Sequence, residues 1–257
     1  MNTLEKVLYL LESNKNTYIS GEAMADQCGV SRNAIWKSIK ELRQRGYGIE
    51  AVSNKGYKLA ENSDIISAEG IRAELTGTEC GLAEMYVYEM LESTNDEAKK
   101  LAIKGAAHGT VVIAASQSGG RGRKDHTFYS PEGGLYMSVI LRPERLSSID
   151  SREITAFVGK SVSDSIKELT GIDTYIEGIN DLYADGKKLC GILIESGSEF
   201  DSGTLQWIVA GIGINFDSDV DAFPEEVKNR AGSLYKPGEA TTTKNKLIAR
   251  ILGKILL

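Results

Sequence analysis

The 257-residue chain has few of the features that mark secreted, zinc-binding or membrane proteins. Its three cysteines, Cys28, Cys80 and Cys190, lie far apart and match no paired metal spacing, which excludes a disulfide framework and gives no sign of a zinc site. We expect ordinary buried thiols. The sequence opens with no run of about 18 apolar residues and no signal-like segment, because Glu12 and Lys15 interrupt the first apolar stretch. These absences predict a cytoplasmic protein with no membrane partner.

Charge is distributed unevenly along the chain, whose length and 41% apolar composition suit a small domain followed by a larger one. Of the 30 Lys/Arg and 36 Asp/Glu residues, 9 and 6 lie in residues 1–60, which leaves 21 and 30 for the rest. A front segment of net charge +3 therefore precedes a body of −9. This asymmetry favours a polyanion as partner of the front segment, although an excess of three charges is modest.

Residues 1–60 have the pattern of a winged helix-turn-helix domain. Apolar residues at helical spacing predict a first helix over 3–13, and a second and a third helix follow, with Ser20 and Ser31 as their expected N-caps. A tight Gly-Val-Ser turn joins the second helix to the third. Residues 49–59 then alternate around a turn, which is typical of a β-hairpin.

The third helix of this domain is rich in polar and basic residues at its N-terminal end. In a helix-turn-helix this end enters the major groove of DNA, while a hairpin residue reaches a flanking phosphate. The DNA-contacting residues predicted on this basis are Arg32, Asn33, Trp36, Lys37 and Lys55. The alternative is a charged, solvated helix in a protein-interaction module. We favour DNA because the turn, the polar helix face and the hairpin occur together.

The rest of the chain predicts a second, larger domain. Residues 61–67 are polar and predict a linker, and a helix over 68–75 opens a domain that runs over 68–257. From residue 86 onwards, β-rich segments alternate with helices, without internal repeats. Such alternation predicts an α+β chain in which a mixed α/β domain follows the winged helix.

A glycine-rich basic loop, Gln117-Ser-Gly-Gly-Arg-Gly-Arg-Lys124, directly follows a predicted strand. Glycines let backbone amides approach an anion closely, and the two arginines add charge, so the loop suits a carboxylate or a phosphate. It lacks the Gly-Lys-Ser/Thr ending of a P-loop and is no dinucleotide fingerprint. Taken alone, a flexible basic surface loop explains it equally well.

Two further motifs lie downstream. Asn180-Asp181 is followed by a turn at Asp185-Gly186 and by a strand that begins with Lys187-Lys188, so a carboxylate and a lysine face each other across a hairpin. Such a pair suits a magnesium-bound triphosphate, although hairpin chemistry alone also accounts for these residues. Ala210-Gly-Ile-Gly-Ile-Asn215 ends an apolar strand with small residues, which suits backbone packed against a ligand.

Together with Ser93-Thr94-Asn95, these blocks and their order closely resemble the biotin protein ligase family, in its bifunctional ligase and repressor branch. The shared blocks are Ser-Thr-Asn, Gly-Arg-Gly-Arg, Asn-Asp-Leu, Lys-Leu-x-Gly-Ile-Leu and Gly-Ile-Gly-Ile-Asn. Each block is weak alone, but the ordered set behind a helix-turn-helix is specific. The resemblance extends from the N-terminal winged helix to beyond Asn215.

The resemblance implies a role for each matching residue. The implied biotin site consists of Ser93, Thr94, Asn95, Gln117, Gly120, Arg121, Gly122, Arg123, Lys188 and Gly191. The implied nucleotide site consists of Arg123, Asn180, Asp181, Lys188, Gly213 and Asn215. The implied catalytic residues are Lys188, Arg123 and Asp181, of which Asp181 is also the expected magnesium ligand.

The resemblance also implies the reaction and the partners. Biotin and ATP would give biotinyl-5′-AMP and pyrophosphate with Mg²⁺ present, and a lysine of a biotin carboxyl-carrier protein would then take the biotinyl group. No covalent enzyme intermediate is needed, which agrees with the lack of a nucleophile constellation in the sequence. The adenylate-bound protein would form a homodimer on operator DNA.

The chain departs from the family pattern at three places. The family normally reads Lys-Trp-Pro-Asn-Asp where this chain has Glu177-Gly178-Ile179-Asn180-Asp181, so a positive charge near the phosphates is replaced by a negative one. Within the basic loop, Asp125-His126 and Phe128 replace a second Gly-Arg and a Trp. After residue 257 we expect no SH3-like barrel of the kind that usually forms the C-terminal domain in this family. Two alternatives therefore stay open: a catalytically weakened biotin-sensing regulator, and a relative that handles lipoate or octanoate.

Overall fold

A computed structural model of the chain describes residues 1–75, 82–123, 126–146, 150–199 and 201–256. Cys80, Lys124, Asp125 and Leu257 lie outside the described residues, whereas Cys28 and Cys190 are buried free thiols, as predicted. Within the described ranges, no helix has both the length and the apolar character needed to cross a membrane. The chain divides into two compact units, Met1–Thr78 with Thr243–Arg250 and Glu79–Thr242 with Ile251–Leu257.

The first unit contains the predicted winged helix-turn-helix. Its elements are α1 (Thr3–Ser13), α2 (Gly21–Cys28), α3 (Arg32–Gln44), β1 (Ile49–Val52), β2 (Gly56–Leu59) and α4 (Ala68–Glu74). Ser20 and Ser31 cap α2 and α3 as predicted, since each hydroxyl accepts a hydrogen bond from a backbone N–H of the first helical turn. Gly29 ends α2 in the left-handed region, at φ +69°.

One hydrophobic core holds the three helices and the hairpin of this unit together. Val7, Leu11, Ile35 and Leu42 are among its most buried members, each at most 1% exposed. The hairpin is fixed at Gly56, where φ is +108° and a Cβ atom would lie 2.0 Å from the carbonyl oxygen of Ile19, so only glycine is accommodated.

The structure differs from the predicted boundary after residue 60. Residues 61–67 and α4 belong to the first unit, because α4 packs on α1 and because this segment bonds to residues that lie much later in the chain. Asp64 forms an ion pair with Lys244 at 2.9 Å, and the backbone N–H of Ser67 donates to Asn245 Oδ1 at 3.1 Å. A polar local sequence predicted a linker, but these distant partners make it a structured part of the unit.

The second unit is built on a seven-stranded sheet of order β3-β4-β5-β9-β8-β7-β6. Its strands are β3 (Met85–Leu91), β4 (Val111–Gln117), β5 (Gly134–Leu141), β6 (Tyr175–Glu177), β7 (Asp181–Ala184), β8 (Lys187–Ser198) and β9 (Leu205–Asn215). Its helices are α5 (Thr94–Ile103), α6 (Ser151–Thr170) and α7 (Glu225–Lys228), and α8 (Lys244–Ile255) supplies residues to both units. Only the β3–β4 pair is parallel among these strands.

The packing of this sheet confirms the predicted mixed α/β fold. Strand β5 is buried along its whole length, which requires cover on both faces. Helix α5 packs on β4, β5 and β9, and α6 packs on β7 and β8. The motifs singled out in the sequence accordingly fall at the start of α5, after β4, along the β7–β8 hairpin and at the end of β9.

Candidate functional site

A cavity of about 620 Å³ lies in the second unit, large enough for a small-molecule ligand. It is lined by nearly all the predicted small-molecule residues: Ser93, Thr94, Asn95, Gln117, Arg121, Gly122, Arg123, Asn180, Asp181, Lys188, Gly191, Gly213 and Asn215. Gly120 is the exception. Its carbonyl oxygen accepts from the backbone N–H of Phe128 at 2.9 Å, and a Cβ atom there would lie 2.3 Å from the Phe128 carbonyl oxygen. Gly120 therefore lets the loop backbone pass close to Phe128 and does not line the cavity.

At the start of α5, Ser93, Thr94 and Gln117 contribute polar, uncharged side chains to the cavity wall. Ser93 caps α5, because its Oγ accepts from the backbone N–H of Asp96 at 3.3 Å, which leaves its own proton free to donate. Gln117 Oε1 accepts from the Thr94 backbone N–H at 2.8 Å, and Gln117 Nε2 donates to Ser130 Oγ at 3.0 Å. These groups surround the positive end of the α5 dipole, which favours a ligand carbonyl oxygen.

Asn95 was predicted to contact the ligand, but its hydrogen bonds do not support that role. Its Nδ2 donates to Glu195 Oε2 at 2.7 Å, and its Oδ1 accepts from Ser138 Oγ at 2.6 Å. The residue is 4% exposed and packs against Gly211, where a Cβ atom would lie 2.1 Å from Asn95 Oδ1. The amide of Asn95 is thus engaged by the protein itself.

The opposite end of the cavity contains the charged residues. Lys188 Nζ lies 2.7 Å from Asp181 Oδ2, so the carboxylate and the lysine face each other across the β7–β8 hairpin, as the sequence predicted. Asp185 and Gly186 form the turn with φ +49° and +73°, a combination that two-residue hairpin turns favour. Arg123 Nη1 donates to Asn180 Oδ1 at 3.3 Å, next to this ion pair. Lys188 and Arg123 therefore bring two positive charges to this part of the cavity.

Phe128 fills the space that two glycines leave open. Gly191 of β8 and Gly213 of β9 are paired in register, and Cβ atoms there would lie 3.0 and 2.7 Å from the Phe128 ring. Lys188 Nζ lies 5.8 Å from the centroid of the same ring. In the sequence, Phe128 stands out only as a departure from the family motif. The glycines of β8 and β9 could have indicated its position, because two glycines side by side leave room for a flat side chain close to the backbone.

Asn215 lines the cavity with a buried side-chain acceptor that no described residue satisfies. It is 4% exposed, its Nδ2 donates to the carbonyl oxygen of Gly232 at 2.8 Å, and its Oδ1 has no hydrogen-bond partner among the described residues. Glu226 and Arg230, which no motif predicted, line the cavity beside it. Their segment is held to β8, because the Lys188 backbone N–H donates to the carbonyl oxygen of Arg230 at 2.7 Å.

Among the described residues of the second unit, Cys190 is unsuited to act as a nucleophile and no multi-ligand metal site is found. Burial raises the pKa of the Cys190 thiol well above its ordinary value, which keeps the sulfur protonated and unreactive. No group of three or more His, Cys, Asp or Glu residues in the described ranges is arranged to hold a metal ion. The arrangement suits chemistry between two bound substrates, with charge stabilised by Lys188 and Arg123.

Comparison with known proteins identifies the family. Residues 87–215 match the biotin/lipoate A/B protein ligase family, and residues 3–58 match an HTH domain. The bifunctional ligase/repressor BirA of Bacillus subtilis (strain 168) is 38% identical over 98% of this chain and 77% of its own length. BirA of Escherichia coli (strain K12) is 29% identical over 99% of this chain and 76% of its own. The chain belongs to this ligase family.

A solved structure supports the same assignment. The biotin protein ligase from Aquifex aeolicus in complex with biotin and ATP has a TM-score of 0.57 and 29% identity, over 68% of this chain and 69% of that one. The resemblance inferred from the ordered motifs is therefore confirmed, as is the arrangement of a helix-turn-helix in front of a biotin ligase domain.

The bifunctional ligase/repressor relatives direct attention to the exposed face of α3. Arg32, Asn33, Trp36 and Lys37 are all exposed on this helix, and Trp36 is 53% exposed, so it is no core residue. Lys55 is exposed on the β1–β2 turn. The structure thus presents all five predicted DNA-contacting side chains to solvent within one unit, although their contact with DNA stays a prediction.

Proposed function

We propose that this chain is an ATP-dependent biotin ligase that forms biotinyl-5′-AMP, transfers biotin to a lysine of a biotin carboxyl-carrier protein, and represses transcription by binding operator DNA. The observation that carries the proposal is a single cavity with a polar, uncharged end at Ser93, Thr94 and Gln117 and a cationic end at Arg123 and Lys188. Biotin has the matching form, since a ureido ring and a carboxylate lie at its two ends.

Biotin would lie with its ureido ring at the first turn of α5. The free proton of Ser93 Oγ and the helix dipole suit the ureido oxygen, and Thr94 Oγ1 suits a ureido N–H. Phe128, whose ring occupies the space over Gly191 and Gly213, would form an apolar wall for ring and chain atoms of biotin. Arg121, Gly122 and Arg123 cover the bound molecule from the loop.

The chemistry would be attack of the biotin carboxylate on the α-phosphorus of ATP. The new acyl–phosphate bond forms as the bond to pyrophosphate breaks, which gives biotinyl-5′-AMP. The ammonium of Lys188 and the guanidinium of Arg123 would stabilise the negative charge that develops on the α-phosphate oxygens. In the second step a lysine amine attacks the acyl carbon, AMP leaves and a proton is released to solvent.

The nucleotide would lie beside Asn215. Its buried Oδ1 lacks a partner among the described residues, so an amino group such as that of adenine would satisfy it. Asp181 fits a role toward Mg²⁺, because this ion is typically held by one or two carboxylates together with substrate phosphates. The ion, when bound, would neutralise phosphate charge; Asp181 itself also holds Lys188 in place.

The repressor activity would depend on the winged helix and on self-association. The exposed face of α3 would enter the major groove, and Lys55 would reach a flanking phosphate. We propose that a homodimer is the operator-binding form and that adenylate promotes it, which would link repression to biotin supply.

A weakened enzyme that senses biotin is the second candidate, and one observation favours it. Glu177 of β6 is paired in register with Asp181 of β7, so two carboxylates lie on the same face where the family has a lysine and an aspartate. Like charges at this position oppose the approach of phosphates.

Calorimetric titration of the full chain with biotin, lipoate and ATP, followed by biotin-dependent pyrophosphate release with Mg²⁺, tests these proposals. Biotin binding with pyrophosphate release supports the ligase. Biotin binding with no release supports the regulator. Binding of lipoate in preference to biotin would overturn both.

A further inference from the structure

Strand β6, at one edge of the sheet, lies beside the cavity. Asn180 and Asp181, which follow β6 in the chain, line the cavity, and Glu177 is paired in register with Asp181. Paired residues of antiparallel strands point to the same face of a sheet, so Glu177 lies one strand outward from Asp181. Tyr175 stacks on Tyr183 in the same way, with ring centroids 5.9 Å apart, and Tyr183 lines the cavity. Tyr175 and Glu177 therefore continue the cavity wall outward to the surface.

Glu177 brings a negative charge to this wall that no described residue neutralises. Its side chain is exposed and forms no ion pair within the described ranges, whereas Asp181 is held by Lys188 at 2.7 Å. The charge acts on a group of the cavity, because burial raises the pKa of the Tyr183 hydroxyl and the carboxylates of Glu177 and Asp181 raise it further. A cationic group that approaches the cavity along this wall would therefore be attracted.

Exposed apolar side chains flank Glu177 in the chain. Tyr175 is 49% exposed and Ile179 is 39% exposed, two residues before and two residues after the carboxylate. Aromatic and aliphatic side chains grouped on an exposed edge favour a protein contact, since water gains nothing from them. The surface thus has the two features that a protein partner with a cationic side chain would need.

We propose that β6 and its turn, residues 175–179, form the docking surface for the acceptor protein, and that Glu177 attracts the ammonium group of the acceptor lysine. This inference rests on the proposed function, in which that lysine takes the biotinyl group. The acyl phosphate would form beside Lys188, so the lysine must arrive near Asp181, which β6 adjoins. Biotin and ATP are anions, and the acceptor lysine is the cationic substrate. A carboxylate at this rim therefore suits the second step of the reaction.

Glu177 would hold the lysine in its ammonium form at the entrance of the cavity. The ammonium then gives up a proton to solvent, and the amine attacks the acyl carbon of biotinyl-5′-AMP. The new C–N bond forms as the bond from the acyl carbon to the phosphate oxygen breaks, AMP leaves, and a second proton is released to solvent. The carboxylate acts only through charge and is not consumed.

The test follows the second step alone, with the full chain, chemically prepared biotinyl-5′-AMP and the carrier domain of an acetyl-CoA carboxylase. Glu177→Gln keeps the shape of the side chain and removes its charge. It should raise the KM for the carrier domain about fivefold at low salt and by less at high salt, because an exposed charge is screened. With hydroxylamine, a small neutral nucleophile, in place of the carrier domain, its rate should equal that of the native chain.

Ile179→Ser tests the apolar part of the surface. It should raise the KM for the carrier domain about threefold at every salt concentration, because apolar contact does not depend on charge, and should leave transfer to hydroxylamine unchanged. The matched controls lie on β3, at the opposite edge of the same sheet, where Glu89 and Met90 are both exposed. Glu89→Gln and Met90→Ser make the same kinds of change there and should keep the native KM.

The outcomes separate this inference from the proposed function. A native KM in Glu177→Gln or in Ile179→Ser would overturn the docking surface alone, as would an equal rise of KM in the β3 variants. Slower transfer to hydroxylamine in the β6 variants would also overturn it, since the reacting centre itself would then be damaged. If the native chain transfers biotin to neither acceptor, the ligase function fails and this inference fails with it.

Discussion

Lys188 Nζ lies 2.7 Å from Asp181 Oδ2 and 5.8 Å from the centroid of the Phe128 ring, so one ammonium group has both an ionic and an aromatic neighbour at the charged end of the cavity. The carboxylate fixes the position of the ammonium, and the ring restricts water on one side of it. A cation held in this way requires little reorganisation when charge develops on a phosphate. The relationship makes Lys188 the residue whose loss should affect the chemical step most.

Lys188→Ala should lower the rate constant for biotin-dependent pyrophosphate release by about 100- to 1,000-fold, the usual effect of removing one preorganised electrostatic stabiliser. Single-turnover measurements with Mg²⁺ and ATP check this. Lys160→Ala is the control, because Lys160 is an exposed lysine of α6 whose partner is Asp164. A Lys188→Ala variant that releases pyrophosphate within a factor of three of the native rate would remove Lys188 from the catalytic set.

His108 gives the stability of the second unit a defined pH dependence. Burial lowers the pKa of its imidazole below the ordinary value, and its Nδ1 accepts from the backbone N–H of Arg142 at 3.1 Å. Below pH about 6.5, His108 therefore binds a proton in the unfolded chain, whereas in the folded chain it stays neutral until the pH reaches its lowered pKa. Stability should be highest above this pH and fall as the pH is lowered through the depressed pKa.

Urea unfolding at pH 7.5 and 5.5, followed by the fluorescence of Trp207 in a Trp36→Phe background, checks this dependence. His108→Gln keeps an acceptor for the Arg142 N–H but does not titrate, so it should show a smaller loss of stability between the two pH values. Equal losses for the two proteins would mean that another group dominates in this range.

Local sequence was sufficient to predict most elements of the fold. Ser20, Ser31 and Gly29 form hydrogen bonds to residues close to them in sequence. The helix ends at these residues can therefore be predicted without the tertiary structure. The same holds for the Asp185-Gly186 turn, which predicted the β7–β8 hairpin and with it the approach of Lys188 to its carboxylate partner.

Distant partners account for the features that the sequence did not predict. Residues 61–67 resemble a linker, and their bonds to residues such as Lys244 and Asn245 show that they are not one. Asn95 resembles a ligand contact within its motif, but Glu195, 100 residues later, determines what its amide can bind. Arg230 belongs to no motif and reaches the cavity only through the bonds of its segment to β8.

Lys37 tests the proposed DNA interface. It is exposed on α3 and, if it contacts a phosphate, Lys37→Ala should weaken binding to a random-sequence DNA duplex and lower the slope of log K against log salt by about 1. Fluorescence anisotropy over a salt series measures this slope. Lys160→Ala, in the second unit, should leave it unchanged. A native slope for Lys37→Ala would exclude Lys37 from the interface, and absence of any DNA binding would favour a protein-interaction module.

Glu177 decides between the active ligase and the weakened regulator. It is exposed on β6, opposite Asp181, and is not among the residues that line the cavity. Glu177→Lys should raise the rate of biotin-dependent pyrophosphate release by about five- to tenfold, because reversing one charge near phosphates in a solvated position changes the barrier by about 1 kcal/mol. The substitution is made alone, since Gly178 has φ +68° and a tryptophan there would be strained.

Glu177→Gln separates removal of the negative charge from addition of a positive one. It should give a rate between those of the native chain and Glu177→Lys, because only half of the charge reversal is made. Native turnover already on the order of 1 s⁻¹, an ordinary enzymatic rate, would show that Glu177 does not hinder adenylation. In that case the register pairing of Glu177 with Asp181 has no consequence for adenylation, and the active ligase is the better assignment.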